Sequence, residues 1–318
     1  MAEPVSKGRR LIKFLFVVLL LVLLFGGGAK MIVAGGAKSL NMADRLLGQG
    51  DGARLLLGDQ PYGNGPRQSL DIWVPENAKA GDRLPVIVFF YGGGWNSGER
   101  GSYGFAGRAL ARQGFVVVIP DYRLVPKAYW PDFIEDSAAA VAWTHEHIAK
   151  LGGDPDRIAL MGHSAGAYNA AMLALDPQWL RAVKSDPSII RGVAGLAGPY
   201  DFLPLEKGGR GDKAMGKVKP IEKTQPIHFA RGDAPPMWLA TGDEDDTVRP
   251  RNSQNLAAAI EKAGGAVTLR VYPGMGHTGI VMAIAAPFQG RAPVLDEATD
   301  FLRGVTARRI APAAEAAK

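Results

Sequence analysis

Gly162-His163-Ser164-Ala165-Gly166 stands between a short apolar run at 157–161 and an alanine-rich stretch at 167–175. The first reads as a buried strand and the second as a closely packed helix. A strand that turns sharply into a helix at G-x-S-x-G holds its serine on a strained elbow. Small flanking residues let the two elements approach and leave the hydroxyl at the tip. Ser164 is therefore a candidate nucleophile. With 41 glycines in 318 residues, the pentapeptide arises by chance roughly 0.17 times, so it needs partners before it carries weight.

Acyl transfer by a serine needs a base for the hydroxyl proton, an acid to orient that base, and donors for the oxyanion. For an elbow serine the acid and then the base follow in the chain. There are five histidines. His145 and His147 precede the serine and diverge two apart on a helix, which also argues against a metal pair. His163 is locked beside the nucleophile and cannot reach round to serve it. His228 lies where no strand aims it. His277 follows a strand at 267–272, in the flexible run Pro273-Gly274-Met275-Gly276-His277, and loops at strand carboxyl ends build the sites of open α/β sheets. It is the expected base; its bland alternative is a turn histidine capping the next helix. The acid is expected in another post-strand loop, residues 241–250, where spacing alone does not choose among Asp243, Glu244, Asp245 and Asp246. Tyr91-Gly92-Gly93-Gly94-Trp95 ends a buried strand in three glycines whose amides can turn toward a developing negative charge. A phosphate cradle is the competing reading, but no G-K-[ST] follows.

These residues need a scaffold. Near-continuous apolar runs at 86–91 and 115–119 have the pattern of strands covered on both faces. Residues 69–74 alternate as a strand ending at Pro75, and further strands are expected at 190–197, 236–241 and 267–272. Helices are expected at 105–113, 132–151, 252–263 and 293–303, with Gly152-Gly153-Asp154-Pro155 stopping the second. Strand and helix alternate, so an α/β fold with one mostly parallel sheet flanked by helices on both faces is expected. Residues 41–60 carry a weak helical pattern. Residues 204–232, rich in Gly, Lys and Pro, read as a loop or small lid; they and 41–60 are expected to line the acyl pocket.

An apolar content of 47% with 21% charged residues permits a sizeable core. The net charge of +6 gathers partly at the ends, and no basic stripe with interleaved aromatics appears, so no nucleic-acid partner is expected. The absence of cysteine excludes disulfides, thiolate metal sites and a cysteine nucleophile. Residues 1–40 read as a targeting segment: Lys7, Arg9, Arg10 and Lys13 precede an uninterrupted apolar run at 14–25. They form either an uncleaved signal anchor or a signal peptide cleaved after Gly27-Gly28-Ala29 or Gly35-Gly36-Ala37. Both place the body, residues 41–318, outside the cytoplasm, membrane-anchored or secreted.

The motifs above, joined by Asp121-Tyr122-Arg123-Leu124 and Gly152-Gly153-Asp154-Pro155-Asp156-Arg157, resemble the α/β-hydrolase superfamily over roughly residues 60–305. Within it the chain is most similar to the carboxylesterase and hormone-sensitive-lipase-like group, including its feruloyl-esterase-like and formamidase-like branches. The resemblance implies an α/β-hydrolase fold and a serine carboxylesterase acting on a small or medium acyl ester, with no cofactor or metal. An aryl-formamide hydrolase is the alternative; an exopeptidase and a non-enzymatic binding protein are less well supported. That family places its acid three residues after the glycine of a G-x-x-D turn, which selects Asp245, with Asp246 and Asp243 as fallbacks. It implies Gly93, Gly94 and Ala165 as oxyanion donors. Tyr91 departs from the usual histidine, and Asp121, Arg123, Asp136 and Trp143 match structural positions.

Overall fold

The computed structural model describes residues 29–47 and 52–307, with side chains from residue 36 onward. The basic and apolar part of the expected targeting segment, residues 1–28, lies outside the described residues. Eight strands form one sheet: β1 Ala53–Pro61, β2 Ser69–Pro75, β3 Leu84–Phe90, β4 Val116–Pro120, β5 Gly153–His163, β6 Ile190–Leu196, β7 Met237–Gly242 and β8 Val267–Tyr272. Their order is β1-β2-β4-β3-β5-β6-β7-β8. β1–β2 and β2–β4 pair antiparallel, and all other neighbours pair parallel. Every residue of β4 and β7 is buried, as their unbroken apolar runs require, whereas β2 alternates buried and half-buried positions.

The connections fix the layers. Helix α2 (Gly104–Arg112) links β3 to β4, and α3 (Asp132–His147) links β4 back past β3 to β5. The direction of winding reverses there, and right-handed crossovers therefore place α2 and α3 on opposite faces. α4 (Ala165–Leu175) and α7 (Arg251–Lys262) follow the second direction and lie with α3. The last helix, α9 (Val294–Val305), packs beside α2. Such a reversal opens a crevice at the strand carboxyl ends, and β3 and β5, which border it, deliver the glycine loop and the serine. The shorter helices are α5 (Gln178–Ala182), α6 (Arg210–Met215) and α8 (His277–Met282).

Two expectations change. Residues 53–61 form a strand, not part of a helix. The pairing of β1 with β2 slips between Leu55 and Leu57 and again before Gln60, which breaks the alternation that marks a regular strand. The helical signal belongs to the preceding residues, in α1 (Ala29–Leu47), which kinks at Gly36. This helix runs through residue 40, and Leu40 is buried in the core. In 204–232, only the first part faces the crevice. Thr224 and Gln225 are buried, and the Thr224 carbonyl accepts from the Tyr168 hydroxyl at 2.8 Å.

Candidate active site

The elbow has the strain its sequence implies. Ser164 adopts φ 55°, ψ −122°, a region that costs a non-glycine residue about 1–3 kcal/mol. Its amide donates to the Leu196 carbonyl at 2.8 Å, tying the turn to β6. A Cβ on Gly166 would lie 2.0 Å from the Phe90 carbonyl oxygen, and one on Gly162 would lie 2.5 Å from Gly166 backbone. Only glycine allows the helix to start this close to β3 and β5.

His277 begins α8, immediately after the loop that leaves β8. Its Nε2 lies 2.9 Å from the Ser164 Oγ and its Nδ1 2.8 Å from Asp245 Oδ2. Asp245 is buried, and its other oxygen accepts from the Thr247 and Val248 amides at 3.0 and 2.8 Å. Thus both carboxylate oxygens are engaged and the imidazole has one orientation. The neighbouring acids have other tasks. Asp243 accepts from the Gly274 amide at 2.7 Å and stitches the acid loop to the histidine loop. Asp246 accepts from the Thr247 hydroxyl at the surface, and Glu244 is exposed. His228 is exposed on the turn Pro226–Phe229, and His147 stacks on Trp143 in α3.

Gly93 and Gly94 have φ 140° and 59°, and Trp95 continues at 59°. Among the described residues, no protein acceptor takes the Gly93 or Gly94 amide. Ala165 is the first residue of α4, where amides have no intrahelical acceptor and the helix dipole is positive. The three expected donors thus border the serine. Tyr91 anchors the loop where histidine is usual. Its hydroxyl donates to Asp121 at 2.7 Å and accepts from Arg67 at 2.7 Å, and its carbonyl accepts from Tyr122 at 2.7 Å. Burial, reinforced by Tyr122 and Asp121, pushes the Tyr91 phenol well above its usual range, so it remains a donor. Asp121 also holds Arg100, and Arg123 grips Asp136 with its amide and side chain at 2.8–3.0 Å.

His163 does not touch the serine hydroxyl, but it supports the base. Its Nε2 donates to the His277 main-chain carbonyl at 3.1 Å, and the two rings lie 4.9 Å apart. Burial first, then the neighbouring His277, push its pKa down to about 3, so the ring is neutral. Its Nδ1 is buried without a partner. Sequence reasoning missed this contact because it runs through a main-chain atom.

Ser164 and His277 open onto two clefts. The first, about 710 Å³, is lined by Trp95, Ala165, Phe202, Leu205 and Val248, with Arg210 at its edge. The second, about 540 Å³, runs between the glycine loop and Gly36–Lys38 of α1, with Ser97, Glu99 and Ser102 along its wall. Residues 41–60 line neither; the N-terminal contribution comes from one turn earlier. Among the described residues no cluster of three or more His, Asp or Glu side chains is placed to hold a metal ion.

A family model described as BD-FAE matches residues 70–260. Esterase LipQ of Mycobacterium tuberculosis is 32% identical over 270 residues, covering 79% of this chain and 63% of its own length. The isoprenylcysteine alpha-carbonyl methylesterase ICME of Arabidopsis thaliana is 30% identical over 243 residues, covering 70% of this chain and 56% of its own length. The chain therefore spans less than two thirds of these relatives. Among solved structures, esterase 2 of Thermogutta terrifontis phosphonylated by sarin superposes with a TM-score of 0.67 at 26% identity, covering 80% of this chain and 95% of the other. A truncated carbohydrate esterase from gut microbiota gives 0.68 at 23% identity, covering 80% and 96%, a likeness of fold.

Proposed function

The chain belongs to the BD-FAE family, among the carboxylesterase-type α/β-hydrolases, and on that premise we propose that it is a serine carboxylesterase of small or medium acyl esters. Ser164 attacks the acyl carbonyl while His277 takes its proton, and Asp245 holds the imidazole in the tautomer that can accept it. The amides of Gly93, Gly94 and Ala165 receive the tetrahedral oxyanion, each typically worth ~2.7–4 kcal/mol. The alcohol departs with the proton from His277, and a water repeats the sequence to release the acid. The acyl group takes the first cleft, whose Phe202, Leu205 and Val248 suit a short apolar chain. The alcohol takes the second.

The observation that carries this reading is the unbroken relay from Ser164 through His277 to a buried, fully bonded Asp245, beneath two amides with no acceptor. The esterase relatives support the reaction class, and the sarin-modified neighbour supports a nucleophile open to covalent capture. The reading places the body in the cell envelope, on an anchor formed by the N-terminal segment or secreted after its cleavage. Its support is the basic and apolar order of residues 7–25. Hydrolysis of p-nitrophenyl esters of graded acyl length, beside an N-formyl anilide, tests the function. Wild type is expected to favour short or medium esters over the anilide, and a fluorophosphonate probe to label wild type but not Ser164→Ala. Equal turnover by wild type and Ser164→Ala, or no ester turnover by wild type, ends the proposal.

A further inference from the structure

The described residues expose six large apolar side chains, and four of them, Met42, Leu46, Leu47 and Leu55, fall between residues 42 and 55. Met42 and Leu46, 58% and 65% exposed, stand one turn apart on the outer side of α1. Exposed Arg45 lies beside them, and Lys38, paired with Glu99 at 2.9 Å, lies one turn before. The inner side of the helix is committed to the body. Leu40 is in the core, and buried Asp44 accepts from Arg108 Nε at 2.7 Å and from the Ala286 amide at 3.0 Å. The buried ion pair fixes the rotation of α1, and with it the outward direction of Met42 and Leu46. Leu55 of β1 borders a cleft with Arg45 and with Arg54, whose guanidinium donates to the Glu76 and Ala78 carbonyls at 3.2 and 3.1 Å.

An apolar stripe rimmed by cations fits the boundary between anionic headgroups and acyl chains, where the apolar side chains sink and the cations meet phosphates. Chain length favours that occupant over a second copy. Ten residues lie between Gly36 and the end of the apolar run at residue 25, and those from Ala29 on belong to α1, so the reach is at most roughly 25 Å. If that run enters a bilayer, this face is held beside it. We propose that the outer side of α1, together with Leu55, rests on an anionic lipid surface and turns the second cleft, whose wall is the turn of the same helix at its Gly36 kink, toward the headgroups. The tether rests on the envelope reading; the face belongs to the folded body.

The chain has no cysteine, so Leu46→Cys or Met42→Cys gives one labelling site for an environment-sensitive fluorophore, and Val271→Cys, at the opposite edge of the sheet, is the control. The full-length protein is mixed with phosphatidylcholine vesicles with or without phosphatidylglycerol, carrying brominated acyl chains. The expected result is a blue shift and quenching several-fold stronger at 46 or 42 than at 271, increased by phosphatidylglycerol and reduced by Arg45→Glu. Equal quenching at 46 and 271, or quenching indifferent to both phosphatidylglycerol and Arg45→Glu, overturns the proposal. A protein-concentration-dependent blue shift without quenching overturns it in favour of a second copy. The readout needs no turnover. Failure of p-nitrophenyl ester hydrolysis in the same preparations counts against the esterase reading alone.

Discussion

The two clefts that meet at Ser164 are built by different means. The first is made entirely by segments at the carboxyl ends of β3, β5, β6, β7 and β8, so its walls are fixed by the sheet that also aims the serine and its partners. The second has one wall from the loop after β3 and the other from α1, an element that enters from outside the alternating strand–helix order. Beside the buried Leu40, its joining contacts include the exposed Lys38–Glu99 pair at 2.9 Å. The chemistry and the first cleft are therefore properties of the fold, whereas the second cleft depends on how a peripheral helix is docked. Substitutions should separate these grades of dependence.

The largest effect belongs to the relay common to both clefts. Asp245→Asn leaves the shape but offers His277 an amide that favours the wrong tautomer, and kcat is expected to fall by about 10⁴ for every ester. A loss confined to one acyl or alcohol series would break the view that the relay is shared. The next effect lies under the second cleft, at His163. Its imidazole titrates about 3 in the native state against 6.5 for the ordinary group, so the unfolded chain binds the extra proton as pH falls below 6.5. Native stability is unaffected by this group above that pH and declines between 6.5 and 3, by roughly 2 kcal/mol at pH 5. Urea unfolding at pH 7 and pH 5 should show this loss in wild type, and His163→Gln should lack that share of it. An equal pH dependence in both proteins would place the acid sensitivity elsewhere.

The same division explains what could be read from the chain. The sheet strands were legible because burial on both faces forces continuous apolar runs, and the elbow because Gly162 and Gly166 face backbone at distances that admit no side chain. The order of glycine loop, serine, acid loop and histidine followed from topology. The choice of acid did not follow from spacing. Asp243, Asp245 and Asp246 differ in where one tight loop points them, and the family pattern, not the residues themselves, singled out Asp245. β1 was misread because its irregular pairing hides a period of two behind Leu55-Leu56-Leu57. The role of Gly36–Lys38 left no sequence signal, since small residues lining a cleft resemble a signal-peptide boundary.

Substitution at the first cleft should act on the acyl group alone. Leu205→Ser removes apolar surface there, and the preference for butyryl over acetyl p-nitrophenyl esters is expected to fall about tenfold, the usual worth of a methylene or two in an apolar pocket. If the change appeared instead across a series of alcohols with one acyl group, the assignment of the two clefts would be reversed.

The smallest effect is the most discriminating for the second cleft. Lys38 is largely exposed, and an exposed ion pair such as Lys38–Glu99 contributes little to stability. Lys38→Ala should therefore leave unfolding by urea almost unchanged. Yet this pair spans the gap between α1 and the segment after the glycine loop, so its loss frees one wall without moving the relay. The expected outcome is a two- to threefold change in kcat/KM across a series of acetate esters with alcohols of increasing size, with the acyl-length profile of p-nitrophenyl esters unchanged. A shift of the acyl profile would mean that α1 reaches the first cleft. No change with alcohol size would mean that the second cleft takes no part in binding the leaving group.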